Sequence, residues 1–389
     1  MIKQRTEIRF SSVLIYSLLL NAGSAFLWPL VTVYMHNYLH KSLTLAGVTL
    51  FLMSMFMVLG NYVGGLLFDR WSPYKTAIIS VLTSTIGIVT LIFAHDWPIF
   101  GIMLMFVGFG DGACLTLLNS YSATIKSRST RTVFNILYMG TNLGVVIGTL
   151  LVGFLLAKGV TVVFTVAAIF YLILFFITIV DFNVKFDRTA GEKKSAGRVK
   201  GKLNSLVLLI CFVVLTLYMA YALWESVLSV HMTSLGISFE KYSLLWTLNG
   251  IMIVLLQPIA NRVGSHFKLS SQTYVGVALF GLSFLALSFA KEYSAFVIVM
   301  ITTTLGEIIG FPGIPAWIDT LSTPEQRGTY QGMFNVFVSA GRAIGPVYGG
   351  LLLQHSTYQV LFTSSAALIM IFLVLLMIKN KRSTKQLKS

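Results

Sequence analysis

Asp111 and Glu307 are carboxylates near the middle of long apolar stretches, 196 positions apart, each followed 20 residues later by an arginine, Arg131 and Arg327. A carboxylate in hydrocarbon is costly, so it binds a cation, pairs with one, or carries protons. Removing a carboxyl from water favours its protonated form. A proton or a cationic substrate can therefore neutralise it for passage through an occluded state, and competition between the two is the simplest physical basis of antiport. Glu225, beside Trp224, is a third such acid; with nearby aromatics it suits lipophilic cations through charge and cation–π attraction. Arg342 also falls inside an apolar stretch and is the best-placed ion-pair partner for Glu307. Trp28, Trp224, Tyr138 and Phe311 are expected to line the cavity around these charges.

These groups need elements that hold them in a membrane. The chain has 389 residues, 56% hydrophobic and only 11% charged, with mean hydropathy +0.83. So little charge does not cover a water-soluble surface. Many apolar runs reach the roughly 20 residues that span a bilayer. With no water to satisfy the backbone, such runs form helices or closed barrels, and the lack of strict alternation selects helices. Twelve spans are expected, near 11–36, 44–68, 75–94, 98–124, 131–157, 161–181, 204–231, 240–264, 271–290, 294–318, 328–354 and 359–378. The first contains Trp28-Pro29 and is too long for the short apolar core of a cleaved signal peptide, so it reads as a retained helix.

A polar, basic segment at 182–203 separates two six-helix halves, 1–181 and 204–389. The net charge of +15 is not a nucleic-acid footprint, because no soluble module concentrates it. Instead, 23 of the 28 lysines and arginines fall on one side of the twelve-span topology and four on the other. By the positive-inside rule, both termini are cytoplasmic in a bacterial cell membrane. Cys114 and Cys211 both lie inside spans and form no metal-binding or disulfide pattern.

The halves match in register. Leu27-Trp28-Pro29 corresponds to Leu223-Trp224-Glu225, and Gly110-Asp111 to Gly306-Glu307. Asp69-Arg70 corresponds to Asn261-Arg262, and Gly144-x-x-x-Gly148 to Gly341-x-x-x-Gly345. Parallel duplication of six spans is a transporter signature, with two bundles rocking about a site near the membrane midplane. Glycines at four-residue spacing let helices pack closely, and Pro346 favours a kink.

The segment after the second span runs Gly64-Gly65-Leu66-Leu67-Phe68-Asp69-Arg70-Trp71-Ser72-Pro73-Tyr74-Lys75. It resembles the G-x-x-x-D-R-x-G-x-x-K signature of the major facilitator superfamily, with Ser72 where Gly is usual. Gly65, Asp69, Arg70 and Lys75 would then form a conformational gate, with Asn261 and Arg262 as a non-equivalent second one. Gly341, Gly345, Pro346, Gly349 and Gly350 lie in a stretch similar to the Gly-Pro-x-x-Gly-Gly motif of the superfamily's antiporters. Leu305-Gly306-Glu307-Ile308 and Trp224-Glu225 resemble segments of twelve-span drug:proton antiporters of the lactococcal multidrug type. In those exporters, acids at the positions of Glu225 and Glu307 serve substrate recognition and proton coupling.

An all-α, twelve-span major facilitator fold is therefore expected. The expected function is proton-coupled export of lipophilic, cationic compounds by a monomer whose partners are protons, the substrate and the lipid bilayer. No cofactor, metal or nucleic acid is implied. The chain has no G-x-x-x-x-G-K-[ST] loop, which argues against an ATP-driven pump in this chain, and no soluble catalytic domain, which argues against an enzyme. The alternative is a carrier for a specific metabolite such as a sugar, amino acid or lipid precursor.

Overall fold

The computed structural model describes residues 7–123, 125, 127, 130–184, 204–264, 266–322 and 327–386, and every regular element among them is helical. In chain order these are α1 (Phe10–Val33), a π-helical turn (Tyr34–Tyr38), α2 (Leu43–Arg70), α3 (Pro73–Phe93), α4 (Ile99–Ala123), α5 (Thr130–Leu156), α6 (Val160–Asp181), α7 (Ser205–Glu225), α8 (Val227–Ser234), α9 (Phe239–Gly264), α10 (Leu269–Leu287), α11 (Tyr293–Gly310), α12 (Gly313–Thr320), α13 (Arg327–His355) and α14 (Tyr358–Gln386). Among the described residues, twelve helical segments are long and apolar enough to cross a membrane, and their positions follow the expected spans.

Local chemistry sets several boundaries. Ser42 caps α2 by accepting from the Leu45 N–H at 3.1 Å, and Asn204 caps α7 by accepting from Leu206 N at 2.9 Å. At α3, Ser72 is the N-cap and Pro73, which has no N–H to lose, follows it. Two expected spans are broken. The seventh breaks at Ser226, between α7 and α8, and the tenth at Phe311-Pro312, between α11 and α12. Pro312 has no N–H for the Ile308 carbonyl four residues back. That carbonyl instead accepts from Gln257 Nε2 of α9 at 3.2 Å.

By contact, the chain divides into two compact units: Met1–Lys193 with Tyr242–Gly250, and Lys194–Lys241 with Ile251–Ser389. Most of the expected 182–203 linker lies outside the described residues. Within the first unit, α1 packs on α5, α2 on α4, and α3 on α4 and α6. Within the second, α7 packs on α13 and α14, and α10 on α11 and α14.

Glycine makes these contacts close. Gly144 and Gly148 of α5 abut the carbonyls of Leu18 and Ala22 on α1. A Cβ at Gly341 or Gly345 of α13 would stand 2.7 or 2.5 Å from the carbonyl oxygens of Leu215 and Met219 on α7. Leu18 and Leu215, Ala22 and Met219, and Gly144 and Gly341 are each 197 positions apart, so the duplication extends to individual backbone contacts. The α2–α4 pair has no such echo. Gly60, Gly64, Gly108 and Gly112 bring α2 and α4 together backbone to backbone, but in the register that aligns Asp69-Arg70 with Asn261-Arg262 and Asp111 with Glu307, Met252, Leu256, Thr304 and Ile308 stand at the matching positions of α9 and α11.

Leucine at position 144 or 341 is expected to push these helix pairs apart and destabilise the purified protein by at least about 1–3 kcal/mol. Gly332, where an added Cβ meets open space, provides the control, and Gly332→Ala should melt like the native chain. Thermal unfolding in detergent micelles measures both; equal melting of native protein and Gly341→Leu would remove the packing argument.

Candidate functional site

The C-terminal unit gathers most of the expected charges on one face. Tyr218, Tyr221 and Glu225 follow each other on α7 at spacings of three and four, which places them along one side of the helix. Gly341 and Gly345 flank Arg342 and bring α13 against that helix. Arg342 Nη2 lies 3.6 Å from Glu225 Oε1. The guanidinium carbon is 5.6 Å from the ring centroids of both Tyr218 and Tyr221, within cation–π range. Pro346 deprives the Arg342 carbonyl of its usual helical donor, so the backbone is polar here as well.

The Glu225 side chain is 15% exposed and that of Arg342 is 40% exposed. An arginine this far open to lipid at mid-span would be strongly disfavoured. The open face of the pair therefore looks onto water. The contact is long and single, short of the two-bond fork that Arg and carboxylate form at their strongest. The buried Nε of Arg342 has no hydrogen-bond partner among the described residues.

The break after α11 closes the other side of this cluster. Phe311, at the break, lies 5.6 Å from Tyr218, 6.5 Å from Tyr221 and 5.3 Å from Phe280 between ring centroids. Glu307, one turn earlier, is half-buried and acts electrostatically on both Tyr221 and Arg342. Arg342 was expected to pair with Glu307, but its ion pair is with Glu225. The reason is the glycine stripe, which presses α13 against the end of α7. Glu307 stays within electrostatic reach of the pair.

Asp111 has a different setting. It is 1% exposed and is held by hydroxyls from three other helices. Tyr171 of α6 reaches both carboxylate oxygens at 2.9 and 2.8 Å. Ser84 of α3 donates to Oδ1 at 2.8 Å, and Ser24 of α1 donates to Oδ2. A Cβ at Gly23 would come within 2.8 Å of the Tyr171 ring, so that glycine makes room for it. One carboxylate on α4 thus ties α1, α3 and α6 together with neutral donors.

The other expected residues are dispersed. Trp28 is half-buried. Trp224 is only 1% exposed, so it packs inside the unit instead of lining its open face, and Tyr218 and Tyr221 take the place expected for it. Their three-and-four spacing from Glu225 is a sequence signal for this face. The side chains of Tyr138, Asp69, Arg131 and Arg327 lie outside the described ones. In the gate-like segment, Gly64 makes the close approach, with a Cβ there 2.9 Å from Ala113, whereas Gly65 would meet Thr116 at an ordinary 3.4 Å. Arg70 is exposed, and the Lys75 ammonium sits 5.6 Å over the Trp71 ring. In the last turns of α9, Asn261 accepts from Gln257 at 2.9 Å, next to exposed Arg262. Gly349 packs against Leu223 and Val227, and Gly350 is buried nearby on α13.

The sequence is 34% identical, over 96% of both chains, to the "Uncharacterized MFS-type transporter YttB" of Bacillus subtilis (strain 168). It is 24% identical to the "Multidrug resistance protein MdtH" of Enterobacter sp. (strain 638), covering 87% of this chain and 85% of the relative. Among solved structures, the fold matches the POT family transporter PepTSo with TM-score 0.80, 13% identity and coverage of 97% of this chain and 98% of the other. A point mutant of the nucleoside transporter NupG matches with TM-score 0.77, 14% identity and coverage of 95% and 99%. The Major Facilitator Superfamily profile matches twice, at residues 13–231 and 206–389. Twelve apolar helices, a duplicated set of helix contacts, and profile and full-length matches that cover nearly the whole chain agree on one assignment: this membrane transporter belongs to the Major Facilitator Superfamily.

Proposed function

We propose that the chain is a proton-coupled secondary transporter that exports lipophilic compounds by alternating access, and that Glu307, Glu225 and Arg342 form its exchange site. The observation that carries this reading is the ion pair on the water-facing side of the C-terminal unit, bounded by Tyr218, Tyr221 and Phe311 and close to Glu307. An apolar molecule finds aromatic walls there, and Glu307 is the acid placed to trade a proton for a cationic group. Multidrug resistance proteins among the relatives support the export direction and the lipophilic substrate class. The strong bias of lysine and arginine to one side supports a bacterial cell membrane with both termini in the cytoplasm.

In this reading Asp111 holds the first unit rigid while it moves. Sealed from solvent and satisfied by three hydroxyl side chains, it suits a structural centre better than a group that meets substrate.

Proteoliposomes carrying purified protein test the assignment. Efflux of ethidium should follow an imposed pH gradient, and Glu307→Gln should fold normally yet lose uphill transport to background. Uphill transport by that variant at the native rate would remove Glu307 from the coupling role. No ethidium movement by folded native protein at any gradient would leave the metabolite-carrier reading in its place.

Asp111→Asn turns one acceptor oxygen into a donor facing hydroxyl donors, and Tyr171→Phe removes two of the contacts. Each is expected to lower stability by about 1–3 kcal/mol, with transport falling in parallel. An Asp111→Asn protein that melts like native but transports without a proton would show Asp111 to be the coupling acid.

A further inference from the structure

We infer that Arg342 is an anion-binding subsite, so the compounds this site takes include amphiphiles with a carboxylate-type group attached to an apolar body. The inference rests on the exchange-site reading and refines its substrate class.

The internal duplication provides the first argument. In the first unit, α1 and α5 pack through the same glycine stripe that joins α7 and α13. There, in the register of those contacts, Trp28 stands in the place of Glu225, and Val145 in the place of Arg342. The helix contact therefore forms without any charge. Buried ion pairs add little stability over apolar residues of similar size, so packing does not explain why one half has both charges and the other has neither.

Geometry provides the second. Arg342 offers five N–H donors in a fixed fork. Its ion pair employs one nitrogen at 3.6 Å, its buried Nε has no hydrogen-bond partner among the described residues, and 40% of its side chain is open. Tyr218 and Tyr221 hold the guanidinium by its π contacts, 5.6 Å from each ring. The open part of this guanidinium, held in orientation beside aromatic walls, is well suited to capture of a planar oxyanion. Glu225 acts as the internal anion that occupies it between substrates. A purely cationic compound would meet a carboxylate at Glu225 that is already neutralised, leaving Glu307 as its acid.

The test compares N-decanoylglycine with its uncharged methyl ester, by calorimetric titration of protein in lipid nanodiscs. Native protein should prefer the acid. Arg342→Gln should weaken acid binding by about 10-fold or more, the worth of one charge-assisted pair, and leave the ester unchanged. Arg342→Lys keeps the charge without the fork and should fall between the two. Glu225→Gln removes the internal competitor and should bind the acid more tightly than native, which provides a readout even if Arg342→Gln does not fold. Equal binding of acid and ester by native protein, an acid preference that survives Arg342→Gln, or no gain in Glu225→Gln would each overturn the inference. Ethidium efflux under a pH gradient, measured on the same preparation, separates the readings: efflux without acid preference defeats only the anion subsite.

Discussion

Close approach of the first and fifth helices of each half, glycine against backbone carbonyl, is the constraint on which the rest depends. In a bilayer, helices gain little by hiding apolar surface from each other, since lipid is equally apolar. Contact must come from close packing, and only a residue without a Cβ lets carbonyl and backbone meet at the distances seen at Gly144, Gly148, Gly341 and Gly345. Once α13 is pressed against α7 in this way, Arg342, between two of these glycines, has nowhere to go but alongside the turn that carries Glu225.

The two halves apply the same frame to different ends. In the first, Asp111 is closed in by hydroxyls from Ser24, Ser84 and Tyr171. In the second, Tyr221 matches Ser24 in the register of the glycine contacts, and Phe280 matches Ser84. Glu307 therefore holds the position of Asp111 with a phenylalanine where Ser84 stands in the first unit, and Phe280 contributes to an aromatic wall with Phe311. The unit that buries its acid also packs α2 tightly on α4, while the glycines needed for that contact are replaced in α9 and α11. The first unit has the sealed acid and the close α2–α4 packing, and the second has the open ion pair.

Much of this was legible in the sequence because the membrane leaves few alternatives. Long apolar runs could only be helices, and the twelve spans are where hydropathy puts them. The repeat was readable from Trp28 and Trp224, Asp111 and Glu307, and the two glycine stripes. Pairing within the site was not. Mid-span depth alone pointed Arg342 towards Glu307, since depth gives height along a helix but not direction around it. Two further signals lay unused in the sequence: the three-and-four spacing of Tyr218, Tyr221 and Glu225, and the glycines on either side of Arg342. The hydroxyl shell of Asp111 was beyond reach because Ser24, Ser84 and Tyr171 come from three separate helices and share no local pattern.

The interruptions in the helices cluster around the same charges. Breaks at Ser226 and at Phe311-Pro312, and Pro346 within α13, all fall within about one turn of Glu225, Glu307 or Arg342. Each leaves a carbonyl without its helical donor or allows the chain to change direction. Non-helical backbone at membrane depth is tolerated only where protein or water satisfies it. At Ile308 the donor is Gln257. At Arg342 the carbonyl loses its helical donor to Pro346, in a residue whose side chain is 40% open. Polar backbone, an ion pair and aromatic rings thus converge on one face of the second unit. The matching positions in the first unit hold Trp28 and Val145 and carry no charge. Because the α1–α5 contact forms through the same glycine packing without charge, the ion pair of the second unit is not required for the α7–α13 contact.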